Sequence, residues 1–291
     1  MRRDLSVEVF GQRFQNPILL AAGTAGFGRE LEGVVDLERL GGLVTKAVSV
    51  EPRHGNRAPR VAEFPGGMIN SVGLANPGLA RVRAEELPRL TAGLRRARVL
   101  VNVVGFTVEE YEQVVAGLDG VPGIAAFELN LSCPNTHAGG IEFGADPRCV
   151  ERIVGSCARR TRTPLAVKLS PTLPDIAGMA LVARDAGAAA ATVVNTLPGY
   201  VSGPDGRPRL GQGNGGVSGP GLLPVGVLAV RRIAERSGGE LPVIGVGGVR
   251  SAADARQYLR AGASLVAIGT AGLADPRLPE RVVRDLERGE G

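Results

Sequence analysis

Tryptophan is absent from this chain, and Tyr (three) and Phe (seven) are few. Surfaces that hold single-stranded nucleic acid stack bases on aromatic side chains, so the composition argues against that class of partner. Cysteine is nearly as scarce. Cys133, Cys149 and Cys157 are an odd number with no C-x-x-C pair, which excludes a disulfide framework, a zinc site and an iron–sulfur ligand set, and fits a reducing compartment. The two histidines, His54 and His137, lack metal-ligand spacing and a neighbouring nucleophile elbow, so both read as loop residues and no metal is expected. No apolar run approaches the ~20 residues of a membrane span, and the start, Met1-Arg2-Arg3-Asp4, leads into an alternating strand-like stretch and not a signal sequence. The expectation is a cytoplasmic protein with neither a membrane nor a nucleic-acid partner. The net charge of +5 is spread without a polybasic block. It reads as an Arg-rich surface, with attraction of anionic ligands as the functional alternative.

What the chain does have is apolar mass and glycine: 44% hydrophobic residues and 43 Gly among 291. No collagen-like period or low-complexity tract accompanies the glycines, which mostly follow apolar runs, as turns with close backbone approach require. Residues 5–10 and 12–15 read as a small hairpin turned at Gly11. Eight buried-strand candidates follow, at 18–22, 43–47, 99–104, 125–131, 165–169, 191–195, 243–246 and 265–268. Helical patterns separate or follow them at 29–40, 79–95, 108–118, 147–160, 174–186, 222–237, 252–261 and 278–288, with Ser251 as an N-cap and Gly262 as a C′ glycine. Strict β/α alternation implies a parallel sheet, and eight repeats imply a closed (β/α)8 TIM barrel. No linker interrupts it, so residues 1–291 read as one domain. The connections 48–77 and 196–221, after the second and sixth strands, are long enough to be functional loops or lids.

Barrel enzymes place their chemistry at the C-terminal ends of the strands. Here those ends carry Lys46, Asn102, Asn130, Cys133, Lys168, Asn195 and Thr196. Lys and Asn have little reason to sit at buried strand ends for packing, so the set points to a polar ligand in the barrel mouth. The last two strands end in Gly247-Gly248 and Gly269-Thr270, which suits a phosphate held by backbone N–H groups, although ordinary turn glycine is the alternative. A G-x-G-x-x-G at Gly211, Gly213 and Gly216 follows a Pro-rich loop instead of a strand, so it reads as a lid hinge and not a dinucleotide fingerprint. A thiol at the mouth, as at Cys133, acts as a base if neighbouring cations lower its pKa from about 8.5. By position alone, a small buried hydrophobe remains equally open for Cys133. Cys149 and Cys157 fall in a helix and read as packing or neutral surface positions.

These residues, taken in order, carry a resemblance. The marks are Thr45-Lys46, Glu51-Pro52-Arg53-His54-Gly55-Asn56, Asn70-Ser71-Val72-Gly73-Leu74-Ala75-Asn76-Pro77-Gly78, Glu128-Leu129-Asn130-Leu131-Ser132-Cys133-Pro134-Asn135, Val167-Lys168-Leu169-Ser170-Pro171, Val194-Asn195-Thr196 and Gly215-Gly216-Val217-Ser218-Gly219-Pro220, with the two phosphate-type loops. Over nearly its whole length the chain resembles the class 1 dihydroorotate dehydrogenases, FMN-dependent barrels of pyrimidine biosynthesis. The resemblance implies that Cys133 removes a proton from C5 of dihydroorotate while a hydride passes from C6 to N5 of FMN. It implies an FMN site from Ala22, Lys46, Ala47, Asn102, Asn130, Lys168, Val194, Gly219, Gly247, Gly248, Gly269 and Thr270. The substrate set it implies is Lys46, Asn70, Ser71, Val72, Gly73, Leu74, Asn130, Asn135, Asn195 and Thr196. Lys168 would stabilise the anionic reduced flavin, and Asn side chains suit the alternating N–H and C=O groups of a pyrimidine.

The Glu-Pro-Arg and Asn-Pro-Gly forms resemble class 1B, the catalytic subunit of an NAD-linked enzyme. That implies a homodimer core within a heterotetramer, whose partner subunit carries FAD and a 2Fe-2S iron–sulfur cluster. One departure is Ala21-Ala22-Gly23, where relatives often have Ala-Ser-Gly; a hydroxyl near the flavin is lost, and backbone contact from Ala22 or the nearby Thr24 would have to serve. The rival enzyme readings are a fumarate-linked class 1A enzyme and a tRNA dihydrouridine synthase. The chain ends about twenty residues after its eighth strand, which leaves no room for the latter's RNA-binding domain. The non-enzyme reading is a barrel kept as a scaffold or ligand-binding subunit.

Overall fold

The computed structural model describes residues 3–132 and 143–289. The chain opens with β1 (Val7–Val9) and β2 (Gln12–Phe14), an antiparallel pair with Val9 opposite Gln12. The two-residue turn has positive φ at both Phe10 (60°) and Gly11 (66°), the twist a tight hairpin requires. Eight parallel strands then close a barrel in chain order: β3 (Ile18–Leu20), β4 (Gly42–Val44), β7 (Arg98–Val103), β8 (Ile124–Asn130), β9 (Leu165–Leu169), β10 (Ala190–Val193), β13 (Val243–Val246) and β14 (Leu265–Ile268). Val9 and Phe14 of the hairpin pack with Leu19, Val44, Leu100, Ala126, Ile244 and Leu265. The hairpin therefore plugs the barrel's N-terminal end and leaves the other end for ligands.

Outside the strands run α1 (Leu79–Arg81), α2 (Leu87–Ala92), α3 (Val108–Leu118), α4 (Pro147–Ala158), α5 (Ile176–Asp185), α6 (Leu222–Arg236), α7 (Ala252–Arg260), α8 (Thr270–Ala274) and α9 (Leu278–Arg288), with a π-helical segment, Val82–Glu86, joining α1 to α2. Local chemistry fixes their ends. Thr107 accepts from the Glu110 N–H; Ser251 accepts from the Asp254 N–H and Gly262 follows α7 at φ 106°, the two caps expected from the sequence.

Two expectations fail. No α-helix forms over 29–40; the segment makes two short 3-10 turns, Arg29–Leu31 and Leu37–Arg39. Gly28 and Gly33 take φ of 91° and 75°, which breaks a helix whatever its apolar spacing, and the Asp36 side chain caps the second turn instead. The two long connections are also more than loops. The first supplies β5 (Val61–Phe64) and β6 (Gly67–Asn70), the second β11 (Leu197–Tyr200) and β12 (Asn214–Ser218). They form one antiparallel sheet, β11-β12-β6-β5, over its own small core of Ala62, Ile69 and Leu210. Gly216 accordingly pairs with Asn70 and Pro198 inside that sheet and is not a lid hinge.

Candidate active site

Strand alternation builds the mouth. Leu100 and Ala126 face the barrel interior, so Asn102 and Glu128, two residues further along β7 and β8, face the same interior one layer higher. Register continues the layer round the barrel: Asn102 lies opposite Glu128, Asn130 opposite Lys168, and Lys168 opposite Thr192. The remaining site residues lie where the strands flare beyond their regular ladders, held by single backbone bonds. Ala21 N–H donates to Ile268 O, Thr45 N–H to Leu100 O, Val194 N–H to Val246 O and Asn195 N–H to Leu169 O, all at 2.9–3.0 Å. Ala22, Lys46, Ala47 and Thr196 sit in the same flare.

Neither lysine of the mouth meets a counter-ion among the described residues. Lys168 is 7% exposed, and among the described residues its ammonium has no hydrogen bond or ion pair. Lys46 is half-buried, its backbone pinned by Gly26 O at 2.8 Å, with its ammonium equally unpartnered among the described residues. These are the chain's only lysines, among 34 basic residues. Two buried hydroxyls, Ser132 Oγ and Thr192 Oγ1, also lack a partner among the described residues. A mouth with this many unspent polar groups is built for a polar occupant.

The antiparallel sheet delivers the other half. Asn70 ends β6, and its Nδ2 donates to Gly216 O at 3.2 Å. Gly216 packs directly on the Thr196 side chain, so the two connections bring Asn70 and Thr196 together from 126 positions apart in sequence. The 70–74 loop is shaped from behind. Asn56 Nδ2 donates to Ser71 Oγ at 2.7 Å, Val72 O accepts from Asn56 N–H at 3.1 Å, and Ser71 N–H donates to Arg60 O at 2.8 Å. Gly73 and Leu74 take φ of 73° and 58°, and a Cβ on Gly73 would meet Asn56 N at 2.5 Å. Buried Asn76 locks the loop to β4's extension, with Nδ2 donating to Ser49 Oγ and Leu74 O, both at 2.8 Å.

The glycine loops form a cradle that side chains would fill. Gly247 and Gly248 have φ of 124° and 73°, and a Cβ on Gly248 would meet Leu223 N of α6 at 2.5 Å. Gly219, at φ 141°, lies against Gly66 O. Thr270 Oγ1 donates to Ser218 Oγ at 2.7 Å, which ties the loop after β14 to the end of β12. Behind the cradle, Tyr258 donates to Gly247 O at 2.8 Å. Burial, with the nearby Asp254 charge, pushes its phenol well up, so it stays a donor. Tyr111 likewise donates to Asn130 O at 2.6 Å.

Cys133 and Asn135, with His137, lie outside the described residues. The other thiols are held toward the neutral form: burial and then Glu112 push Cys157 up to about 12, while burial and the acceptor Asp146 raise Cys149. Both sit on α4. His54 is exposed in the first long connection. A cavity of about 600 Å³ lined by Gly33–Asp36 and Arg277, Glu280, Arg281 and Arg284 contains none of the expected site residues. Among the described residues, no cluster of three His, Cys, Asp or Glu side chains has metal-binding geometry, and no helix is long and apolar enough to cross a membrane. The residues that sequence reasoning gave no role are the supports: Asn56, Asn76, Ser218, Tyr111, Tyr258 and Glu128. Glycine at 226 and 245, both packed on the Tyr258 ring, was the available hint for that tyrosine.

Comparison with known proteins covers nearly the whole chain. The family model for dihydroorotate dehydrogenase matches residues 4–289. The chain is 42% identical over 289 residues to the dihydroorotate dehydrogenase B (NAD(+)) catalytic subunit of Pelobacter propionicus, covering 99% of this chain and 94% of that one. It is 45% identical to the protein of the same name from Desulforudis audaxviator, over 99% and 93% of the two chains, and 42% identical to that of Geobacillus kaustophilus, over 97% and 89%. With a family model matched over residues 4–289 and relatives of more than 40% identity over nearly its full length, the chain belongs to the dihydroorotate dehydrogenase family.

Proposed function

We propose that this chain is the FMN-binding catalytic subunit of an NAD-linked dihydroorotate dehydrogenase, oxidising dihydroorotate to orotate in cytoplasmic pyrimidine synthesis, with residues 1–291 acting as one catalytic domain. The observation that carries the reading is the pair of unpartnered lysines, Lys46 and Lys168, in a mouth otherwise furnished with neutral amides and glycine loops. That donor set fits a flavin mononucleotide. Gly247, Gly248, Gly269 and Thr270 leave room and backbone for its phosphate, Asn102 and Asn130 offer amides to its ring, and Ala22, Ala47, Val194 and Gly219 line it. When bound, FMN supplies the hydride acceptor that the amino acids lack.

The chain's own residues do the rest. Lys168 places a fixed cation where negative charge develops, in a site already organised before reaction. Lys46 serves both this charge and the substrate carboxylate. Asn70, Asn130, Asn135 and Asn195, with Ser71, Val72, Gly73, Leu74 and Thr196, orient the pyrimidine ring, donors to carbonyls and acceptors to N–H groups. Cys133 takes the proton from C5 as the general base. The electrons leave to a partner subunit carrying FAD and a 2Fe-2S cluster, the two chains assembling as a heterotetramer around a homodimer of this one. The names of the relatives, catalytic subunits linked to NAD(+), support a partner subunit and an NAD linkage.

Flavin reduction by dihydroorotate under anaerobic conditions tests the activity. Purified protein that takes up no FMN, or whose bound FMN stays oxidised with dihydroorotate, refutes it. Cys133→Ser is expected to retain FMN and orotate while losing at least about 100-fold in the rate of flavin reduction at neutral pH, the scale of a lost general base; near-normal kinetics would remove Cys133 from the mechanism.

A further inference from the structure

Glu128 is 1% exposed, on the inner face of β8, in a motif where only Asn130, Cys133 and Asn135 have a role so far. Burying a carboxylate is costly, and an apolar residue would serve packing better. Yet among the described residues no cation lies within ion-pair distance of it, and its one hydrogen bond comes from Asn102 Nδ2, at 2.8 Å to Oε1. Asn102 is equally buried, and its backbone is pinned on both sides: its N–H donates to Thr45 Oγ1 at 3.2 Å, and its carbonyl accepts from Val48 N–H at 2.8 Å. The one freedom left to Asn102 is which way its amide points. A carboxylate is an acceptor only, so turning Oδ1 toward Glu128 would set two acceptors face to face. Asn102 Oδ1, which accepts no hydrogen bond among the described residues, is thereby presented to the mouth.

We infer that Glu128 is a positioning residue that sets the polarity of the mouth, fixing Asn102 as an acceptor for an imide-type N–H of the bound ligand. The inference rests on the flavin and pyrimidine reading above, and both of those rings carry such an N–H. The acceptor that Glu128 turns toward Asn102, not its volume, decides the arrangement.

The test uses the full-length chain stripped of flavin. FMN affinity is measured by fluorescence quenching, and orotate affinity of the reloaded protein by its perturbation of the flavin spectrum. Glu128→Leu removes the inward acceptor and is expected to weaken one of the two ligands about tenfold or more, a loss of about 1.4 kcal/mol. Glu128→Gln offers Asn102 either a donor or an acceptor, so two amide arrangements become nearly equal and affinity falls only about twofold. Asn102→Asp sets carboxylate against carboxylate and is expected to lose more than about tenfold. The double variant Asn102→Asp/Glu128→Gln lets the Gln amide donate inward while Asp keeps an acceptor outward, and is expected to bind better than Asn102→Asp alone.

A shift in FMN affinity assigns the N–H to the flavin, whereas an unchanged FMN affinity with weakened orotate assigns it to the pyrimidine. Leu and Gln variants that bind both ligands like wild type overturn the inference. So does a double variant no better than Asn102→Asp, and this comparison decides the matter if the Leu variant fails to fold. A wild-type chain that takes up no FMN refutes the functional reading itself and is distinguishable from either result.

Discussion

Replacing Lys168 by Met is expected to make the flavin-free protein more stable and the enzyme worse. The ammonium is 7% exposed and unpartnered among the described residues, with the small or neutral side chains of Asn130 and Thr192 beside it in register. A fully buried ion costs several kcal/mol, and exchange for an apolar residue of similar volume typically recovers 1–4 kcal/mol. Because the mouth admits some solvent, about 1–2 kcal/mol is the appropriate figure. For a chain of this length that corresponds to a rise in apparent Tm of about 2–4 °C. FMN then reverses the order: a ligand at 100 times its Kd adds about 2.7 kcal/mol, and the wild type, which keeps its cation, gains more of it than the variant. Thermal unfolding of stripped and reloaded protein should therefore show the two curves crossing on addition of FMN. Flavin reduction by dihydroorotate should fall by about 10²–10³, the scale of a lost charge-stabilising group. Lys168→Arg restores the charge but not the compact point geometry, and should remain at least about tenfold below wild type. A Met variant less stable than wild type in the stripped form would show that the cation is satisfied in a way the geometry does not reveal; undiminished flavin reduction would remove it from the chemistry.

Three other perturbations probe the supports. Gly248→Ala requires a left-handed backbone for an L-residue, about 1–2 kcal/mol, and crowds Leu223 N at 2.5 Å; a total loss of about 2–4 kcal/mol with loss of FMN uptake is expected, and a wild-type Tm with normal FMN content would refute the cradle. Tyr258→Phe deletes the donor to Gly247 O and should cost about 0.5–1.5 kcal/mol in chemical denaturation, with weaker FMN binding; an unchanged FMN affinity would detach Tyr258 from the cradle. Glu38 is held below the ordinary carboxylate range: burial opposes this, but backbone N–H groups of Ala97, Arg96 and Arg95 outweigh it. A depressed value means the stabilisation is present above the unfolded-state value of 4.5 and is lost as pH falls through the folded one. Glu38→Gln should therefore trail wild type by about 1–2 kcal/mol at pH 7 and converge with it in acid; a gap independent of pH would refute the charge as its source.

The barrel was legible because its signal is repetitive. Eight apolar runs alternating with amphipathic ones survive errors of a residue or two at any boundary, and the strand ends came out one to three residues shorter than expected where the chain flares, as at Leu20 and Val44. The mouth was legible because barrel geometry converts a one-dimensional list of strand-end residues into a ring. What escaped were features set by contacts between distant segments. β6 and β12 carry Gly67, Gly215 and Gly216, composition that reads as loop, and they are strands because each supplies the other's ladder. Residues 29–40 carried a helical apolar spacing, but the positive φ of Gly28 and Gly33 overrode it. The roles of Tyr258 and Asn76 depend on backbone carbonyls and hydroxyls brought close by the fold, which no spacing rule encodes.

Lysine usage connects the sequence to the site most directly. This Arg-rich chain has only two lysines, Lys46 and Lys168, and both stand at the barrel mouth. Guanidinium serves exposed ion pairs well, as at Arg231–Glu235 and Arg281–Asp275. It is planar and needs a matching fork of acceptors, which the Asn- and Gly-built mouth does not supply. A narrow site that must hold charge against a ring edge calls for a compact ammonium on a flexible stem. The acidic member of the same layer, Glu128, pairs with an amide and not with either cation, so both positive charges are left for the ligand. Had Glu128 faced Lys168, the mouth would be a satisfied internal salt bridge, more stable and without chemistry. Its register one strand away, opposite Asn102, keeps the site polar and unspent.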